Sequence, residues 1–395
     1  MLKELYPGKT PENVAIRKHP FLSMLSKADD FEGDNLVCPV YYELPAGRSR
    51  TFATAQTNAA TSESIKWNVT QAADYSVILI DALTIRSSRS NRGAFVNARK
   101  MEIDLMLMSL GNSASHACYR SGFGALTQLD ADPGTGTTFT CNPIDDARFF
   151  MINQVLTFSA DQDGTTLRAG GTRTVSAIDE DSGTITVSAA LDAALAISDW
   201  VHTSGDPNTT SGAVTKLVGL AGWLPLTAPT GGDSHFGVDR STHPTRLAGQ
   251  RINAAANSIE ENILEISEEI VRQGGRPDKC FLSHTAFNDL VKSLGTKIEY
   301  AGGGGNADVG FGSIMVHTSA GPVKVFPDAD CPTNRGYVLQ MDTWKLHHLD
   351  GFPHIDTLDG NSSLRRSTAD GIEVRARYWA NLVCAAPGWN GVFSI

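Results

Sequence analysis

The best metal-like cluster of residue types is His347 and His348, with Asp350 and His354 nearby. Adjacent residues on a strand point to opposite faces, so His347 and His348 do not converge on one ion unaided. The pair reads as ordinary surface or core histidines. The run Gly302, Gly303, Gly304, Gly305 is the second candidate. A glycine loop cradles phosphate when Gly-Lys-Ser/Thr opens a helix. Here Asn306-Ala307-Asp308 follows, so the run reads as a flexible loop. Asp161, Asp163 and Gly164 have the opening of a calcium loop but no closing glutamate, and read as turn residues. Cys384 and His317 are the types of a nucleophile and its base, with nothing local to support them. Neither HExxH nor GxSxG occurs. An enzyme of this size normally shows one convergent polar constellation. This chain shows none, which predicts a protein that is not an enzyme and that uses neither cofactor nor metal.

Bulk properties narrow the classes further. The chain has 395 residues, with 33 basic against 43 acidic and a net charge of −10. Its 41% hydrophobic content is ordinary for a globular protein and too high for a disordered one. The length suits two or three domains, or one domain with insertions. The acidic balance argues against a surface coated with nucleic-acid-binding charge, while leaving room for a local basic face. No apolar run approaches the ~20 residues that span a bilayer, and MLKELYPGKT lacks the apolar core of a signal peptide. The six cysteines are scattered without a CxxC pair, and read as thiols in a reducing compartment.

The elements that would position any surface come next. Residues 1–34 are polar and read as an extended arm ending in a short helix near Phe21–Leu25. Stretches 36–44 and 64–81 read as strands, the second with Ile65, Trp67 and Val69 alternating. The Ala-, Thr- and Ser-rich segment between them has almost no core-forming residues. That predicts a long hairpin with a mobile, unpacked tip, an arm reaching for a neighbour. Residues 91–111 read as a helix with Phe95, Ala98, Met101, Leu105 and Met108 on one face and Gly111 as its stop. Arg86, Arg89, Arg92, Arg99 and Lys100 form a basic approach to it, a candidate for non-specific phosphate contact. Residues 130–218 are Thr-, Asp- and Gly-rich with short β runs, which predicts a small inserted β-barrel or sandwich. Ten acids against four bases between 144 and 218 make it acidic. Ile259, Ile263, Ile266 and Ile270 stripe a helix over 253–273, ended by Gly274 and Gly275. Ser283 caps a second helix, with Phe287, Leu290, Val291 and Leu294 on one face. The remainder reads as β.

This order of elements, with HFGVDRSTHPTRLAGQRIN at 235–253, GFGSIMVHTSAGPVKVFPDADCP at 310–332, YVLQMDTWKL at 337–346 and YWANLVCAAPGWNGVFSI at 378–395, resembles tailed-bacteriophage major capsid proteins of the Hong Kong 97-like fold. The resemblance implies an α+β fold divided into an N-terminal arm (1–34), an E-loop hairpin (35–82) and a spine helix with the start of a peripheral domain (83–129). An inserted β-domain (130–218), peripheral and axial helices (219–300), an axial domain with the glycine loop (301–358) and a C-terminal β segment (359–395) follow. It implies self-assembly into hexamers and pentamers of an icosahedral virion shell around double-stranded DNA, put together in the host cytoplasm. Arg48, Arg50, Phe52, Thr54 and Gln56 at the hairpin tip would touch a neighbouring subunit. Arg86, Arg89, Arg92, Arg99 and Lys100 would touch DNA or a neighbour, and Gly302–Gly305 would lie at the capsomer centre. The insert would face outward, away from packed DNA. A short arm implies a separate scaffolding protein. A portal and a decoration protein are further implied partners, and a membrane is not. Lys66 is the only lysine in the hairpin, with no matching acid, so no Lys–Asn cross-link is predicted. The same fold also serves nanocompartment shells that enclose protein cargo. A phage tail or adhesion β-protein is the other reading, and the helices at 253–294 count against it.

Overall fold

The computed structural model describes residues 19–31, 33, 35–87, 98–211, 213–254, 256–294, 314–357, 360–367 and 369–395. Most of the expected arm, the helix start at 91–97 and the glycine loop 302–305 lie outside them.

The longest strand, β20 (Gly371–Cys384), organises the first sheet. Its Val374, Ala376, Tyr378, Ala380 and Leu382 alternate onto one fully buried face, the period-2 signature of a strand packed on one side. Strand β4 (Ala72–Asp81) pairs along one edge, from Gly371 opposite Asp81 to Ala380 opposite Ala72. Strand β18 (Trp344–Ile355) pairs along the other, from Trp344 opposite Cys384. Short β1 (Ser26–Ala28) adds in parallel to β18, and β19 (Leu364–Arg365) completes the five.

The spine helix α4 (Ala98–Ala117) crosses this sheet. It differs from the sequence reading in two ways. The helix continues through Gly111, the stop read from periodicity, to Ala117, near the end at about 118 that the resemblance implies. One interior glycine costs about 1 kcal/mol, which the buried turns around it outweigh. The buried face is also different: Met106, Leu110, Ala114 and Ala117 face the core, while Met108 is exposed. Between Met101 and Leu110 apolar residues occur on every side of this helix, so periodicity alone did not select a face.

A second sheet runs in the order β13 (Gln250–Ile252), β21 (Gly391–Ser394), β17 (Arg335–Leu339), β14 (Lys279–Leu282), β16 (Gly321–Pro327), β15 (Ile314–Thr318). Helices α7 (Ile259–Arg272) and α8 (His284–Leu294) cover one of its faces. Ile263, Ile266 and Ile270 are fully buried against it. The α7 start is Ile259, six residues later than expected, because Ser258 and Glu261 form a capping box there. Ser283 accepts the Ala286 amide at the head of α8.

Strands β5 (Ala125–Leu129), β6 (Thr138–Asn142), β7 (Val155–Ser159), β8 (Arg173–Asp179), β9 (Thr184–Val187) and β10 (Trp200–Thr203) form a closed barrel. It has its own core, including Leu129, Phe139, Leu156, Ile185 and Val201. The barrel starts at Ala125, ahead of the expected boundary at 130. Its entry and exit run side by side: the amides of Thr215 and Lys216 both reach Gly122 O, and Gly219 N reaches Arg120 O at 2.9 Å. Gly219 is glycine for a steric reason, since a Cβ there would sit 2.2 Å from Cys118 O.

Candidate assembly surfaces

Strands β2 (Asn35–Glu43) and β3 (Glu63–Thr70) form the hairpin, in one register from Asn35 opposite Thr70 to Tyr41 opposite Ser64 and shifted by one residue at Glu43 opposite Glu63. The 64–81 stretch is two strands rather than one. After Gln71 the chain leaves the hairpin and joins β20 as β4. Leu36, Cys38, Val40 and Tyr42 turn one face of the hairpin root toward the main core. The tip buries nothing. It carries a short helix, α2 (Phe52–Thr57), whose first turn is capped by Thr51 accepting the Thr54 amide at 3.4 Å. Arg48, Arg50, Thr54 and Gln56 are exposed there, and Phe52 and Leu44 are 82% and 83% exposed.

What holds the paired strands of the hairpin against the body was not legible in the sequence. Glu43 receives His243 Nε2 at 3.2 Å and an Arg246 guanidinium nitrogen at 3.0 Å. The same Arg246 donates to Tyr42 O at 2.5 Å. On the other strand Trp67 lies edge-on to Trp223 and His235, with ring centroids 5.2 and 5.8 Å away. Asn68 N donates to Phe236 O at 3.0 Å. The clamp is therefore the segment 235–246, part of the stretch that carried the resemblance. His235 is wedged between the two tryptophans and Phe236, and burial pushes its pKa well below the ordinary histidine value, with Arg240 adding to the effect. Glu43 and Arg246 are about two hundred residues apart, so no local pattern joins them.

A buried ionic junction stands where β4, the barrel and the spine helix meet. Lys216 Nζ lies 2.7 Å from Asp74 and 3.2 Å from Asp206, and Ser113 donates to Asp74 at 2.7 Å. Burial pushes the Asp206 carboxyl up to about 6, against the pull of Lys216. Nearby Asn381 accepts the Val218 amide at 2.9 Å and donates to Thr70 O at 2.8 Å, tying barrel exit and hairpin end to β20.

The remaining sequence candidates are dispersed. Arg86 is exposed on α3 (Ala82–Ser87), and Lys100 is exposed near the start of α4. Arg89, Arg92 and the Arg99 side chain lie outside the described residues, as do Gly302, Gly303, Gly304 and Gly305. His347 pairs with Asp30 at 2.5 Å and His348 approaches Asp29 at 3.5 Å, so each engages its own acid in the segment after β1. Among the described residues no cluster of three His, Cys, Asp or Glu is placed to hold a metal ion. Cys384 is fully buried beside Asn390 and Thr343, with its thiol pushed up to about 12 by burial, whereas His317 sits exposed on β15 in the other sheet. That pair does not meet. No helix among the described residues is long and apolar enough to cross a membrane.

Solved structures share this architecture over nearly the whole chain. No family model and no curated relative matches the chain. The capsid asymmetric unit of cyanophage A-1(L) superposes with a TM-score of 0.56 at 13% identity, over 99% of this chain and 94% of that one. The capsid of an empty GTA particle gives 0.50 at 9% identity, over 99% and 95%. The SrpI encapsulin of Synechococcus elongatus gives 0.50 at 8% identity, over 98% and 91%. The chain has the Hong Kong 97-like capsid fold, α+β, and carries a closed β-barrel between its spine helix and its second sheet.

Proposed function

We propose that this protein is the major capsid protein of a tailed phage, assembling as hexamers and pentamers into an icosahedral head around double-stranded DNA. The observation that carries the reading is the match of fold over nearly the whole chain to a cyanophage capsid. The hairpin supports it physically. A two-stranded ribbon is marginal alone in water, and this one projects a tip with no intramolecular core. A partner's surface supplies the missing burial. The clamp at Glu43 sets its direction, so the tip meets a neighbour at a defined angle.

In this reading the role is structural rather than enzymatic. The tip residues Arg48, Arg50, Phe52, Thr54 and Gln56 contact the adjacent subunit. The basic approach Arg86–Lys100 contacts DNA or a neighbour, and Gly302–Gly305 line the capsomer centre. A portal and a separate scaffolding protein are its assembly partners, with a decoration protein as a further one. The barrel is an inserted domain facing outward, consistent with its side-by-side entry and exit and its acidic charge.

A nanocompartment shell is the second reading, favoured by the similarity to an encapsulin. Negative-stain electron microscopy of the purified protein, expressed with and without neighbouring genes, tests both. Closed shells, or rings of five and six, are expected. Nucleic acid inside supports the phage head and protein cargo the nanocompartment. A stable monomer in the presence of its scaffolding protein overturns both.

A further inference from the structure

Where the arm enters the body, the chain places a half-buried histidine between two hydrogen-bond acceptors. His19 Nδ1 lies 2.7 Å from Asp330 Oδ2, and His19 Nε2 lies 2.8 Å from Asn112 Oδ1. A carboxylate and an amide oxygen both only accept, so this arrangement calls for a proton on each ring nitrogen, the imidazolium form. A neutral ring keeps both contacts only if Asn112 turns its amide over.

The surroundings make that charge matter. Asp328 and Asp330 are 0% and 1% exposed, and the Asp330 amide donates to Asp328 at 3.0 Å. Asp330 Oδ2 also accepts Ser115 Oγ at 2.5 Å, while its Oδ1 has no hydrogen-bond partner. Asp328 accepts Tyr119 Oη at 2.8 Å and the Phe21 amide at 3.1 Å. Among the described residues His19 is the cation in ion-pair contact with these carboxylates. The other groups facing the junction are Cys118 and Tyr119, just past the end of α4, and Cys331 beyond Asp330, all neutral and driven upward by burial, with Lys27 on β1 and the Arg148 and Arg335 guanidinium groups further off.

We propose that the His19–Asp330 junction is a proton-gated latch that holds the base of the N-terminal arm on the spine helix near neutral pH and slackens in alkaline solution. The inference is independent of what the assembled protein encloses. Loss of the imidazolium proton leaves Asp330 buried without a counter-ion, an arrangement that costs far more than a solvated charge. The arm base is the side that yields, because Asp330 sits in a tight turn of the body, whereas His19 begins a five-residue helix, α1 (Pro20–Met24), held chiefly by Phe21. The hydrogen bond to Asp330 raises the His19 pKa above the ordinary histidine value, against the opposing effect of burial. A base with a raised folded pKa stabilises fully below its unfolded pKa and loses that contribution as pH rises through the folded value.

Hydrogen exchange of the full-length chain, read by mass spectrometry on peptides covering 19–25 and corrected for intrinsic rates, tests this at pH 6 and pH 9. Opening is expected to rise about tenfold for each unit by which the pKa is raised, with peptides from α7 unchanged. In His19→Gln, which retains a donor toward Asp330 but does not titrate, the pH dependence should disappear. Asp330→Asn, which removes the buried charge, should reduce it even if His19→Gln folds poorly. Equal corrected exchange of 19–25 in the wild type at both pH values overturns the latch. So does a His19→Gln or Asp330→Asn protein that keeps the full wild-type difference.

Discussion

Single buried amides hold this fold at points where segments distant in sequence converge. Asn390 Oδ1 accepts Gln340 N at 2.9 Å and Trp344 Nε1 at 2.8 Å, while Nδ2 donates to Ala386 O at 2.9 Å and Thr343 Oγ1 at 3.0 Å. Every hydrogen-bonding capacity of that side chain is used. Asn390→Ala strands two buried donors at about 1–3 kcal/mol each. A loss of roughly 2–6 kcal/mol in chemical denaturation is expected on that basis, and a change under 1 kcal/mol would show that the network is dispensable. His235 is a second residue-scale case. Its pKa is depressed by burial, so the unfolded state binds the proton more readily than the folded one. Its contribution is present above the unfolded histidine pKa and is lost as pH falls below it. Tryptophan fluorescence from the Trp67–Trp223 pair should shift on acidification below about pH 6.5, the ordinary histidine value. His235→Phe, which keeps the aromatic packing, should move that transition to lower pH. An unshifted transition would assign it to other groups.

Elements differ in how far their sequences specify them. Helix α7 has a clean isoleucine stripe and a capping box, so its face and its start have local causes. The spine helix has apolar residues on all sides, and its buried face is selected by the sheet it crosses. The hairpin is intermediate. Its alternation shows in Ile65, Trp67 and Val69, but its length depends on where β4 abandons β3 for β20, a competition between two pairing partners. Replacing 46–61 with Asn-Gly, a turn suited to a two-residue hairpin, should leave circular dichroism and thermal midpoint within a few degrees of the parent. Assembly measured by light scattering should fall sharply. An unfolded subunit would place the tip in the core. Glu43→Gln and Arg246→Ala act instead where the tip leaves the paired strands. The pair is two-fifths exposed, so each should cost at most about 1 kcal/mol in stability, while lowering the yield of closed particles by letting the hairpin swing.

At the scale of the whole molecule, three hydrophobic clusters divide the chain, one under β20, one under α7 and α8, and one inside the barrel. The barrel's cluster is self-contained and its two ends meet at Gly122 and Lys216. Residues 123–216 expressed alone should give a β-type circular dichroism spectrum and a cooperative melt. A disordered spectrum would mean that the body imposes the barrel.

From composition and pattern alone came the barrel as a β unit, a helix over 253–273 that proves to start at Ile259, and the unpacked hairpin tip. These are local properties: alternation, helical spacing, caps, and the lack of apolar residues in a loop. The resemblance in element order then pointed to a capsid fold, which the superpositions bear out. Only the tertiary structure decided which face of the spine helix is buried, where the hairpin ends, and that Glu43, His235 and His19 find their partners in segments remote along the chain. Those outcomes rest on contacts between segments far apart in sequence. Such contacts carry no local periodicity, and they become readable once β20, α4 and the barrel stem bring the segments together.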